Sequence, residues 1–352
     1  MMENATQLNS VTHFKPGSEG LLAPLNPWFE DAQVSEILIN KPGEVFVEKK
    51  GAMHRFEVPV LNELHLKRLF NFIANENGQT IGRDRPLLSG NLFDGSRVQL
   101  VLPPASAHFT LSIRRKTLMD VSFEDYKSRG FFDSVKPFYL GSSDEELLSE
   151  GDKQLLALYH ARQWAEFFEL AIAHKKNIVI AGATSSGKTT FLNACLKKIP
   201  HHERIITLED TFELEPPHPN RVSLFAPKKV SEHEAGVSMQ DLVQCSLRLR
   251  PDRIFMGEIR GAEIMDFVSA CSTGHEGSIT SIHASNPRIA FARMTQLYKR
   301  NNVPSMSDAD IMRELTSVID IVIQTKMDNG VRKISYAYFK TAEEMRHAKT
   351  NI

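Results

Sequence analysis

Residues 176–195 read KNIVIAGATSSGKTTFLNAC, and the rest of the chain is organised around them. Ile178 to Ala181 is a short β-branched run of the length and content that suit a buried parallel strand. Next comes an unbroken G-x-x-x-x-G-K-[ST] motif, Gly182 to Thr189, followed by Thr190. Phe191, Leu192, Cys195, Leu196 and Ile199 then keep a helical spacing until Pro200. Strand, glycine loop and helix stand in the order a phosphate-binding loop requires. Glycines let the backbone curl so that N–H groups point at a β-phosphate, and the helix adds its partial positive N-terminus. On this reading Lys188 reaches the β- and γ-phosphates of a nucleoside triphosphate and the Thr189 hydroxyl ligates Mg²⁺. Gly182, Thr184, Ser185, Ser186, Gly187 and Thr190 complete the nucleotide-binding set.

With 352 residues the chain is long enough for about two domains. Hydrophobic and charged fractions of 41% and 24% are those of an ordinary soluble protein. A net charge of −1 argues against constitutive nucleic-acid binding. Cys195, Cys245 and Cys271 are far apart with no C-x-x-C pair. That disfavours a disulfide framework or a four-cysteine zinc site and suits a reducing compartment. The opening MMENATQLNS lacks the basic start and apolar core of a secretory signal. No apolar run nears the roughly 18 residues of a membrane span, so any membrane association is expected to be peripheral.

The expected organisation is a mobile tail over 1–20, a small α+β domain over 21–118, a linker over 119–152 and an α/β domain over 153–352. In the first domain Val34 to Asn40 and Glu44 to Glu48 flank Lys41-Pro42-Gly43 as a hairpin. Leu61 to Asn75 has helical periodicity, and Arg97 to Leu102 and Phe109 to Arg114 read as strands. In the second, a helix over Lys153 to Ala173 leads into the phosphate-loop strand. Further strands are expected at Arg204 to Leu208, Arg221 to Phe225, Arg253 to Met256 and Ser278 to His283. Alternation with helices predicts a parallel sheet, and Asp328-Asn329-Gly330 predicts a closing hairpin.

Hydrolysis of a triphosphate needs carboxylates and cations beyond the phosphate cradle. Glu209 and Asp210 end one apolar strand, Glu258 and Arg260 follow another, and His275 and His283 flank a third. Strand ends of this kind converge on the ligand crevice of an open α/β sheet. Taken singly, each has a plainer reading. The first two acids suit a solvated loop or a helix cap, and Glu258 with Arg260 a surface ion pair. The histidines suit satisfied structural groups, and Arg97, Arg114 and Arg115 a solvated strand face.

In this order GATSSGKTT (182–190), ITLEDTFEL (206–214), LRLRPDRIFMGEIRG (247–261) and STGHEGSITSIHA (272–284) resemble the Walker A, Asp box, atypical Walker B and His box of the secretion traffic ATPases. VSEILINKPGEVFVE (34–48), GSRVQLVLPP (95–104) and LSIRR (111–115) resemble the type IV secretion branch, so the likeness runs from Pro24 to Phe339. The resemblance implies a RecA-like P-loop ATPase domain and a homohexameric ring. It also implies peripheral attachment to the cytoplasmic face of the bacterial inner membrane, among inner-membrane secretion components. Carried onto this chain, it makes Glu209 the base or water-positioning group and Glu258 a Mg²⁺ support through water. His275 and His283 become γ-phosphate relays, and Arg97 with Arg114 or Arg115 the cations reaching ATP from the N-terminal domain. A cation offered by one domain to a phosphate held by the other couples hydrolysis to domain rotation. Two features depart from the pattern. The chain has no four-cysteine insertion of the type II secretion kind, and Met256-Gly257 precedes Glu258 where a carboxylate-ended apolar run is usual. The expected function is a type IV secretion motor. The alternatives are a pilus extension or retraction ATPase, a DNA translocase, and a scaffold that binds ATP without hydrolysing it.

Overall fold

Short β-type runs bounded by turns dominate the first hundred residues, and in the computed structural model they form one antiparallel sheet. The structure describes residues 18–116, 123–128, 148–226 and 236–350. Helices α1 (Ser18–Leu21) and α2 (Asn26–Phe29) precede strands β1 (Val34–Ile39), β2 (Glu44–Lys49) and β3 (Ala52–Glu57). Helix α3 (Glu63–Glu76) and strands β4 (Leu87–Asn91), β5 (Arg97–Val101) and β6 (Thr110–Arg114) follow. The sheet order is β3-β2-β1-β6-β5-β4. Asn62 caps α3 through the His65 N–H, and Leu66, Leu69, Phe70 and Ile73 are buried in the core of this unit. The β1–β2 hairpin turns at Gly43, whose φ is +80°. Residues 1–17 of the expected tail lie outside the described residues. Ser18 to Gly20 belong to α1, where the Ser18 N–H donates to Glu76 at 2.8 Å.

Of the expected linker, the described part holds α4 (Phe123–Ser128) and the start of α5 (Glu150–Ala161). The helix expected over 153–173 is two, because Arg162 takes a left-handed φ of +58° and α6 (Trp164–Ala173) starts afresh. The second sheet runs from β7 (Ile178–Gly182) through α7 (Lys188–Leu196), β8 (Ile205–Glu209), β9 (Arg221–Phe225), α8 (Met239–Ser246), β10 (Arg253–Met256), α9 (Glu263–Ser272) and β11 (Ile279–Ile282). Helices α10 (Pro287–Tyr298) and α11 (Asp308–Val318), strands β12 (Ile321–Asp328) and β13 (Val331–Phe339) and helix α12 (Lys340–Thr350) complete it. The order β13-β12-β7-β11-β10-β8-β9 is parallel except for β13. Val179, Ala181, Ile206, Leu208, Ile254 and Met256 join one core with α8 to α11. Ile178, Ile180, Ile205, Phe255 and Ile279 join another with α5 to α7. Because both faces are covered, these strands read as unbroken apolar runs.

The two sheets meet along a polar seam. Arg204, 0% exposed, donates from Nη1 to Asn40 Oδ1 at 2.6 Å and from Nε to the Leu249 carbonyl at 2.8 Å. Asn40 also donates to Asn220, and Arg250 grips Glu48 through two bonds of 2.6 and 2.9 Å. The Phe225 N–H donates to the Ala105 carbonyl at 2.8 Å, so the first unit adds a rung to the edge strand β9.

Candidate functional site

Strand β7 ends in a loop that only particular residues can form. Gly187 has φ +96° and Ser185 φ +61°, the left-handed backbone that turns successive N–H groups inward. A Cβ on Gly182 would stand 2.3 Å from both Ser186 Oγ and Thr325 Oγ1, and 2.9 Å from the Thr325 carbonyl oxygen. Gly182→Ala is therefore expected to overpack the base of the loop. A loss of about 1–3 kcal/mol in denaturant unfolding should accompany weakened nucleotide binding. Lys188, 9% exposed, donates from Nζ to the Gly182 and Ala183 carbonyls at 3.1 Å each, across the hollow a phosphate would take. Burial lowers its pKa, with Arg260 adding to the effect and Glu258 and Glu213 opposing it. Thr184, Ser185 and Thr190 are exposed, and Ser186 is buried against Thr325 at 2.8 Å.

The carboxylates arrive at the same edge of the sheet, since β7, β8, β10 and β11 are parallel. Glu209, 2% exposed, accepts at Oε1 from the N–H groups of Glu213 and Leu214, both at 2.8 Å. Its Oε2 is buried without a partner among the described residues. Burial raises its pKa, Glu213 and Asp210 push the same way, and the two N–H donors oppose them. A buried carboxylate with one fixed and one unpaired oxygen can hold a water and take its proton. Glu258 contacts His283 Nε2 at 3.1 Å through Oε1 and Arg260 at 2.9 Å through Oε2. Arg260 also pairs with Asp210. The ion-pair reading of Glu258 thus holds in this structure, and both its oxygens are engaged.

His275 and the arginines fall elsewhere. His275 precedes β11 and His283 follows it, so they lie beyond opposite ends of a four-residue strand that is roughly 13 Å long at about 3.3 Å per residue. Gly277 and Ser278, just after His275, donate to Asn177 at the start of β7, whereas the phosphate loop leaves the far end of that strand. Burial lowers the His275 pKa and the charge of Arg114 adds to this, against the Ala270 carbonyl, Glu276 and Asp252. Arg97 and Arg114 line a 190 Å³ cavity with Arg248, and Arg114 donates to Glu36 at 2.5 Å. Within this single chain His275, Arg97 and Arg114 therefore stand apart from Lys188. Arg115 donates to carbonyls of its own unit, among them Trp28 at 2.9 Å and Phe29 at 2.6 Å.

Three contributors had no signal in the sequence. Asn193 of α7 donates to the Glu213 carbonyl and accepts from the Glu215 N–H, so the phosphate-loop helix holds the loop that carries Glu209. Thr325 of β12 braces the loop from below, bonding Ser186 and, at 3.2 Å, the Ala181 carbonyl. Arg332 of β13 donates to the Ser185 carbonyl at 3.4 Å.

Comparison with known proteins fits this geometry. Residues 154–346 match the family model described as type II/IV secretion system protein. The chain is 38% identical over 342 residues to the type IV secretion system protein VirB11 of Brucella suis, covering 93% of this chain and 92% of that one. It is 35% identical over 317 residues to the type IV secretion system protein PtlH of Bordetella pertussis, covering 89% and 91%. The crystal structure of the VirB11 ATPase from the Brucella suis type IV secretion system, in complex with sulphate, superposes with a TM-score of 0.85 at 36% identity. That match covers 92% of this chain and 98% of the other.

Proposed function

The chain belongs to the type II/IV secretion system protein family, and from that membership we propose that it is the ATP-hydrolysing motor of a type IV secretion system. It works as a homohexameric ring that drives machine assembly and the passage of protein or DNA. One observation carries the catalytic part: Lys188 in its glycine loop and the buried, half-unpaired Glu209 stand at the same edge of one parallel sheet. Lys188 moves from the loop carbonyls onto the β- and γ-phosphates. Glu209 holds the attacking water at its free oxygen and takes the proton. Thr189 is the hydroxyl that would hold Mg²⁺, with Glu258 behind it through water, because both Glu258 oxygens are engaged by side chains. When bound, that ion neutralises charge on the β- and γ-phosphoryl oxygens. His283, on Glu258, is the histidine placed to relay the γ-phosphate state.

Arg97, Arg114 and His275 act in trans, on the nucleotide of a neighbouring subunit. Arg97 and Arg114 are directly paired across β5 and β6. Like charges so placed are unfavourable, and the Glu36 carboxylate on Arg114 relieves part of that cost. We retain 21–118 and 153–352 as the two domains, with 119–152 between them. The ring sits peripherally on the cytoplasmic face of the inner membrane, docked on other secretion components. No helix among the described residues is long and apolar enough to cross a membrane.

Two measurements test this. Purified chain should release phosphate from ATP with Mg²⁺, and Lys188→Ala and Arg114→Ala should each be inactive. Mixed one to one in exchanging rings, the two inactive variants should regain about a quarter of wild-type turnover, because a heterologous interface pairs an intact loop with an intact arginine in that share of sites. No recovery would place the arginine in the same chain as the loop it serves.

A further inference from the structure

The C-terminal hairpin does more than end the sheet. Strand β12 pairs with β7, and its register with β13 slips between Gln324 and Thr325. At that slip Thr325 turns its hydroxyl to Ser186 and Ala181 beneath the phosphate loop. Beyond the turn, Arg332 reaches back over the loop from the other strand. Its Nε donates to the Ser185 carbonyl at 3.4 Å, and a Cβ on Gly187 would lie 2.8 Å from its Cδ. The methylene stem therefore lies on the face of Gly187, with the exposed guanidinium beside the loop. Among the described residues no carboxylate pairs with Arg332, and a single 3.4 Å bond to a carbonyl leaves most of its donor fork uncommitted. Lys188, by contrast, sits inside the loop on Gly182 and Ala183.

We infer that Arg332 is a nucleotide-binding residue, a cation supplied by the hairpin of the same chain that grips the α- and β-phosphates while Lys188 holds the β- and γ-phosphates. The inference rests on the reading of the loop as a triphosphate site and adds a second wall to it. A planar fork suits two oxygens of a diphosphate better than a point charge does. Since ADP and ATP share those two phosphates, losing Arg332 weakens both alike and burdens binding more than the chemical step.

The test uses the full chain, with Mg-ADP and Mg-ATP titrated against Arg332→Met and Arg332→Lys. Methionine keeps a stem over Gly187 and removes the charge; lysine keeps a charge and loses the fork. Arg332→Met should raise the Kd of both nucleotides about tenfold, and Arg332→Lys about threefold, as fits charge-assisted bonds at a partly open site. KM should rise by more than kcat falls. The apo protein should melt as the wild type does, while the rise in Tm on adding Mg-ADP shrinks in step with affinity. An ADP Kd within twofold of wild type in Arg332→Met would overturn the assignment. So would a lower apo Tm with unchanged ADP affinity, which marks a structural tack. Wild-type chain that binds no Mg-ADP would sink the nucleotide reading itself, an outcome distinct from a failure confined to Arg332.

Discussion

Lys188→Ala abolishes turnover, by a factor on the order of a thousand or more, without costing the fold its stability. Removing one cation from a phosphoryl-transfer site has effects of that order, because the chemistry is almost entirely charge neutralisation and positioning. The stability half follows from where the ammonium lies. It is buried, its pKa is depressed by that burial, and its hydrogen bonds go to two loop carbonyls and not to a carboxylate. Truncation removes a charge that gains little from its surroundings until a nucleotide arrives. Phosphate release, read beside the thermal melt of the apo protein, separates the two. Activity within tenfold of wild type would refute the role, and a lost melt would shift Lys188 from chemistry to architecture.

Glu209→Gln lowers kcat by roughly a hundredfold to ten-thousandfold, the range a general base supplies, while ATP still binds. Glutamine keeps the size of the side chain and one oxygen for the Glu213 and Leu214 N–H groups, and it puts an amide where the unpaired oxygen was. The pH profile carries the same signature. Burial raises the Glu209 pKa, so in the native protein the base is protonated up to a higher pH than an ordinary glutamate. The active form is the deprotonated one. Turnover therefore climbs as pH rises through that raised value and levels off above it, and Glu209→Gln removes this acid limb. A profile of kcat/KM against pH checks the assignment. A Gln variant that keeps the limb would move the base elsewhere.

The phosphate loop was legible because its chemistry is local: strand, turn and helix N-terminus lie within one stretch, and each residue's task follows from its neighbours. The acids were legible for a related reason, since parallel strands deliver their C-terminal ends to one edge. That same geometry argued against His275, which stands before its strand where His283 stands after it. Arg114 ends β6 and Arg115 follows it, and the two take different partners, Glu36 for one and the Trp28 and Phe29 carbonyls for the other. Helices α10 and α11, absent from the expected elements, carry plain local caps. Asn286 precedes Pro287, and Ser307 with Asp310 forms a capping box. Asn193, Thr325 and Arg332 had no signal. Their partners lie up to 147 positions away, and nothing local marks a residue whose work is done across the sheet.

The seam between the sheets bears on how such an engine can move. Swinging one half of a subunit against the other would pull Arg204 from Asn40 and Asn220 and Arg250 from Glu48. Those bonds would have to be given up together, which favours the two halves travelling as a single block. In the ring proposed above, strokes would then belong to the gaps between adjacent protomers, where the proposal sets each ATP against the next subunit's arginines. Such a ring would deliver force by whole protomers tilting, like staves in a barrel, with the seam in each kept closed.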